Sequence, residues 1–262
     1  AVDTDAIDRA AKLIASASAP MIVVGGGAQG DSGLVRQLAA RTGAPVVAFR
    51  TGHGVMPSDD PLSIGMPVAH SLWTNVDLVI GIGTRLQSQV MSWGHDDDMK
   101  IIHIDIDEMQ IGRSAPVDVG IHARLADALP LLMSAVEDLA EPNPDWADRT
   151  ADAKARRAAE YREKLGPQLE WLGAIRDALP RDGTFVDELT QTGYVSRFAF
   201  PSYHPRSFIS TGYQGTLGYG FATALGVAHA RRDVPVLSIS GDGGALFTIS
   251  ELATAVHHNI PL

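Results

Sequence analysis

The stretch SISGDGGALFTISELATAVHHNIPL, residues 238–262, runs from an apolar segment through a glycine turn into a helical pattern. Gly241, Gly243 and Gly244 surround Asp242. Three glycines among four residues at the carboxyl end of a parallel strand let several backbone N–H groups face one phosphate. Asp242 adds a hard oxygen of the kind Mg²⁺ takes from one or two side chains, while phosphate and water fill its other positions. A helix from about Thr248 is expected to contribute the positive end of its dipole. Asp-Gly is also a common turn, so the choice between an anion site and a plain turn rests on the surrounding segments.

Reading back from the turn, Val234 to Ser240 form an apolar strand, Gly218 to Ala230 a helix, and Thr184-Phe185-Val186-Asp187 a second strand behind the turn Pro180-Arg181-Asp182-Gly183. Trp171 to Leu179 carry helical spacing. Two strands leave apolar faces uncovered, so residues 171–262 are expected to form an incomplete α/β domain. Before them, residues 141–170 open on two prolines and then alternate charges with few large apolar side chains, the pattern of a solvated, charged linker helix. Residues 1–140 repeat a strand-helix unit. Ile7, Ala11, Ile14 and Ala15 share one face of a helix over 4–18, and Pro20 to Val24 are an uninterrupted apolar run closed by glycines. A helix over Ser32 to Thr42, strands over Pro45 to Phe49, Asp77 to Gly83 and Lys100 to Ile106, and a last strand starting near Ile121 follow. Ala123 to Leu139 complete the set as a helix. Such alternation predicts a doubly wound, parallel-sheet, Rossmann-like α/β domain.

The formal charge of −10 excludes the basic footprint of a nucleic-acid binder, and no apolar stretch is long enough to span a bilayer. Zero cysteines rule out disulfides, thiolate metal sites and a cysteine nucleophile, and together with the acidic opening they point to a soluble cytoplasmic protein. Gly25 to Gly30, GGGAQG, matches the dinucleotide fingerprint after a strand, but the second strand ends Phe49-Arg50-Thr51 where an NAD site wants a carboxylate. Arg50 could meet an NADP phosphate instead; tight strand-to-helix turns also need glycine for positive φ or close packing whatever they bind. His257-His258 and Asp96-Asp97-Asp98 have no partners at ligand spacing and are read as a helix end and a solvated loop.

The segment Ser210 to Gly226, STGYQGTLGYGFATALG, followed by a short strand and then SGDGGALFTISELATA, resembles the thiamine-diphosphate-dependent enzymes of the acetolactate synthase and benzoylformate decarboxylase superfamily. The first 140 residues resemble that family's middle domain through Val23 to Gly27, GHGVMP at 52–57, Asp77 to Arg85, and the HIDID strand end at 103–107. The resemblance implies a middle domain over 1–140 and the first part of the diphosphate-binding domain over 171–262, a piece of a chain about twice as long. It also implies that the family's pyrimidine-binding domain, its catalytic glutamate and the asparagine pair completing its metal motif lie outside these residues.

Carried over by position, the resemblance gives Asp242 to Mg²⁺ and the backbones of Gly241, Gly243, Gly244 and Ala245 to the diphosphate. Thr190 and Gln191 fall where the family contacts the diphosphate from the preceding strand end. Leu217 falls where a bulky aliphatic side chain wedges the cofactor into its bent, reactive geometry. Gly215 and Leu217 would hold the pyrimidine edge through their backbones; Leu217 can equally be a core leucine. In the middle domain Arg85, Asp105 and Ile106 match positions that contact FAD in acetolactate synthases, although Arg85-Leu86-Gln87-Ser88-Gln89 departs from that pattern. FAD, ADP or no nucleotide all remain open there. The implied activity is decarboxylation or carboligation of a small 2-oxoacid in a homodimer or homotetramer, with the isolated chain inactive. An NADP-dependent oxidoreductase built on GGGAQG and a non-catalytic remnant are the rival readings.

Overall fold

The computed structural model describes residues 1–138, 141–212 and 214–262. In chain order it holds α1 (Thr4–Ser16), β1 (Pro20–Val24), α2 (Ser32–Thr42), β2 (Val46–Ala48), β3 (Ser63–Gly65), α3 (Met66–Leu72), β4 (Leu78–Ile82), α4 (Gln87–Trp93), β5 (Lys100–Asp105), β6 (Val119–His122) and α5 (Leu125–Ala135). Then come α6 (Pro144–Lys164), α7 (Gly166–Ala178), β7 (Thr184–Val186), α8 (Gln191–Ala199), β8 (Phe208–Ile209), α9 (Tyr219–Ala230), β9 (Val236–Ser238), α10 (Asp242–Thr248) and α11 (Leu252–His257).

The first six strands form one parallel sheet in the order β3-β2-β1-β4-β5-β6. β1 and β4 are buried along their whole length, as apolar runs covered by helices on both faces must be. On one face α1 lays Ala6, Ile7, Ala10, Ala11 and Ile14 against the core, its first turn capped where the Asp3 carboxylate accepts the Ala6 N–H at 3.1 Å. β3 and α3 were hidden in the sequence among Pro57, Pro61 and Pro67; a three-residue strand at the sheet edge carries too little periodicity to stand out. Leu139, the expected end of the α5 helix, lies outside the described residues.

The charged helix α6 is not solvated all round. Trp146, Thr150 and Ala153 are buried on the first sheet's second face, and the Trp146 indole donates to the Pro20 carbonyl at 2.9 Å. Lys154 adds a 2.9 Å bond to the Pro61 carbonyl. The charges fill the outer face while one narrow stripe docks, a division the alternation of charges concealed.

Residues 184–262 carry three parallel strands, β8-β7-β9, rather than the two expected. β8 is only two residues long, too short to show a period in the sequence. Its Phe208 packs with Phe185 and Phe200, whose rings lie 4.4 Å apart. The central strand is β7, so chain order reverses there, and the loops after β7 and β9 diverge at the carboxyl edge. In open parallel sheets that is where ligands bind.

Candidate functional site

Three segments distant in sequence meet at the carboxyl ends of β7 and β9. From β7 the chain turns at Thr190, which caps α8 by accepting the Gly193 N–H on Oγ1 at 2.9 Å. From β9 it turns at Gly241, and α10 begins at once with Asp242. This corrects the expected helix start near Thr248: the glycines do not precede the helix but form its first turn. The leading N–H groups of α10 have no intrahelical partner and no side chain caps them. The third segment, Gly215 to Gly218, lies across both. A side chain at Gly215 would overlap Leu189, and one at Gly218 would stand 2.9 Å from Phe247 Cβ. Gly218 has φ of +82°, which suits glycine, and it caps α9.

The sequence-derived residues therefore converge. A Cβ on Gly241 would touch Thr190 at 3.4 Å, whereas one on Gly243 would meet nothing within 4 Å, so the cradle opens over Gly243. Asp242 and Gln191 are exposed at its rim, Gly244 is buried beneath it, and Ala245 closes the first turn with its N–H on the Gly241 carbonyl at 2.8 Å. Leu217 is 59% exposed, which decides against the core-leucine reading. Among the described residues no group of three His, Cys, Asp or Glu side chains converges on a metal. A single carboxylate beside a glycine turn with uncapped N–H groups fits Mg²⁺, which takes most of its oxygens from phosphate and water.

Beneath the cradle lie charged groups that sequence reasoning passed over. Asp187 is fully buried, with Oδ2 3.5 Å from Arg197 Nε and Oδ1 unpartnered. Burial pushes the Asp187 carboxyl up, opposed by hydrogen bonding and by the Arg197 charge. Arg197 also donates to the Thr211 hydroxyl, tying α8 to the loop after β8. Glu188 is 2% exposed; its Oε1 accepts the Gly218 N–H at 2.6 Å and its Oε2 has no partner. The available signal was two adjacent carboxylates at the end of an apolar strand, an arrangement that is costly unless hydrogen bonds hold it.

A second cleft, of about 550 Å³, opens between β1 and β4, where the first sheet reverses. Gly25, Gly26, Arg50, Arg85, Asp105 and Gly212 contribute to its wall. Ile106 is 67% exposed and does not line it. The glycines there are steric necessities, not positive-φ positions as one reading of GGGAQG expected: Gly25 has φ of −118°, and a side chain on it would run into the Gly83-Thr84 backbone. Gly30, the last glycine of the fingerprint, has open space around it. The turn leads into a short 3₁₀ segment, Gly26–Ala28, with α2 starting only at Ser32, so no helix N-terminus faces the first glycines. Arg50, the candidate for an NADP phosphate, donates instead to the Gly212 carbonyl at 2.6 Å.

Residues 7–132 match the family described as "Thiamine pyrophosphate enzyme, central domain", and residues 190–262 match "Thiamine pyrophosphate enzyme, C-terminal TPP binding domain". The chain is similar to acetolactate synthase isozyme 1 large subunit of Escherichia coli, 28% identical over 99% of this chain and 48% of that protein. It is 31% identical to a probable 2-ketoarginine decarboxylase of Pseudomonas aeruginosa over 96% of this chain and 46% of that protein. With an acetolactate synthase of Mycobacterium avium it shares 34% identity over 96% of this chain and 43% of that protein. The chain thus spans somewhat less than half the length of these relatives.

Proposed function

The chain belongs to the thiamine pyrophosphate enzymes of the acetolactate synthase superfamily, and from that membership we propose that residues 184–262 form the diphosphate- and Mg²⁺-holding side of a thiamine diphosphate site in a 2-oxoacid decarboxylase or carboligase. The observation that carries the reading is the convergence of Thr190, Gly215 to Leu217 and Gly241 to Gly244 around an open cradle with Asp242 at its rim. Bound there, the cofactor supplies a carbon nucleophile for the 2-oxoacid carbonyl. The protein supplies placement. Uncapped N–H groups of the first α10 turn would receive the diphosphate, and Asp242 would take the metal. Gln191 and the Thr190 segment close the cradle from the β7 side. Leu217, exposed next to Gly218, stands where it can support the bend of the cofactor.

The catalytic acid–base chemistry and the choice of 2-oxoacid would then come from residues beyond these 262, and the chain alone would give no turnover. Exposed Leu217, Leu246 and Phe247 beside the cradle support a site completed against a further protein surface, as in a homodimer or homotetramer. If the middle domain holds FAD or ADP, the 550 Å³ cleft with Arg85 and Asp105 in its wall would receive it.

Calorimetric titration with thiamine diphosphate and Mg²⁺ tests the central reading. Asp242→Asn is expected to weaken Mg²⁺-dependent binding by roughly tenfold or more, since loss of even an outer-shell partner of a metal costs that much. It should leave the melting temperature unchanged, because Asp242 is exposed. Preferential binding of NADPH, or binding of thiamine diphosphate that ignores both Mg²⁺ and Asp242, would overturn the proposal.

A further inference from the structure

We infer that Glu188 is a positioning residue of the cradle: a buried carboxyl strut that holds the 215–218 loop and the first turn of α10 in register with each other. The inference rests on the thiamine diphosphate reading above and extends it to a residue that reading does not use.

Glu188 follows β7 directly and touches all three segments of the cradle. Its Oε1 accepts the N–H of Gly218, the left-handed residue adjoining Leu217. A Cβ placed on Gly244 would lie 2.6 Å from Glu188 Cδ and 2.7 Å from Oε2, and one on Gly220 would lie 3.0 Å from Glu188 Cβ. Glycine at 220 and 244 therefore leaves the space that Glu188 fills. Its own carbonyl accepts the Thr190 N–H at 2.8 Å, and a side chain at Gly193 would overlap that carbonyl. If the position needed only filling, an apolar side chain would serve at no desolvation cost. What a carboxyl adds is an acceptor for a buried N–H at a helix start, where no helical carbonyl can reach. Through that bond the position of Leu217 is fixed relative to Gly244, so the pyrimidine side and the diphosphate side of the cradle are set by one side chain.

Amide hydrogen exchange and ligand titration on the chain test this together. In Glu188→Ala the Gly218 amide should exchange roughly ten- to a hundredfold faster, the range expected when a buried donor loses its acceptor. Affinities for Mg²⁺-thiamine diphosphate and for Mg²⁺ with inorganic diphosphate should both fall by about tenfold or more. Leu217→Ala should weaken only the first ligand. Glu188→Gln keeps an oxygen for Gly218 and should restore both exchange protection and binding to within a few-fold; if Glu188→Ala does not fold, this rescue alone decides. Adding Gly244→Ala should cost less in the Glu188→Ala background than in the parent, because the methyl then enters vacated space. Unchanged Gly218 exchange in Glu188→Ala, or a Gln variant as impaired as the Ala variant, would overturn the strut. A parent chain that binds neither ligand while Gly218 exchange responds as described would overturn the thiamine reading and leave the strut a feature of the fold alone.

Discussion

Replacing His53 with phenylalanine should flatten the acid limb of the stability profile. His53 follows the short turn Arg50–Gly52 and lies with its ring 4.7 Å from that of Phe208, on the other sheet. Its Nε2 is sealed from solvent and has no partner, and burial pushes its pKa down from 6.5 to about 4. The unfolded chain takes up the proton near 6.5, the folded chain only near 4, so between those values the unfolded state binds more protons. Stability is therefore unaffected above that window and falls as pH drops through it. At about 1.4 kcal/mol per pH unit the gap amounts to roughly 3 kcal/mol, an upper bound because the ring as a whole keeps partial exposure. Asp187 works in the opposite sense: burial raises its carboxyl, so the folded state holds a proton there that the unfolded state releases. The difference between parent and variant removes that contribution. Urea midpoints followed by circular dichroism between about pH 4 and pH 7 should move apart for the two proteins on acidification, with the parent losing more. Parallel profiles across the window would refute a neutral, buried His53.

Three further substitutions probe the first sheet. Gly25→Ala forces a methyl to within 2.8 Å of Thr84 Cα, and neither backbone can yield, so a loss of about 1–3 kcal/mol is expected in chemical melts. Gly30→Ala, five residues further along the same fingerprint with no atom in reach of the new methyl, should be neutral or stabilising by under about 1 kcal/mol. Trp146→Ala should cost about 3–5 kcal/mol and expose α6 to proteolysis, since it empties a buried indole site and orphans the Pro20 carbonyl. A cost below about 0.5 kcal/mol would return α6 to the status of a solvated linker.

The strands that decide the first sheet were legible because burial on both faces demands uninterrupted apolar runs, and Pro20 to Val24 and Leu78 to Ile82 are such runs. What escaped detection shares a physical cause. β3 and β8 are three and two residues long, too short for any period to register, and both depend on pairing with a neighbour already in place. α6 escaped in a different way. Its docking stripe is one indole, one hydroxyl and one methyl among many charges, so the mean character of the helix describes its outer face and not the contacts that anchor it.

At the candidate site, the glycines and Asp242 stand out in the sequence because the chemistry they suggest is local: a turn rich in N–H groups and one hard oxygen suffice to suggest an anion and a metal. Glu188 was not, since its role exists only once residues 218, 220 and 244 are brought around it. The same holds for the helix start. A glycine-rich turn was expected to precede a helix at Thr248, because glycine lowers helix propensity. The chain instead begins α10 at Asp242, and the space taken by Glu188 explains why the penalty is tolerated: any larger residue at 244 would collide with the carboxyl below. Glycine at 244 is thus required from beneath by packing, while the open side at Gly243 leaves room for a phosphate above. On the proposed reading one turn meets both demands, and the sequence pattern alone could express only the second.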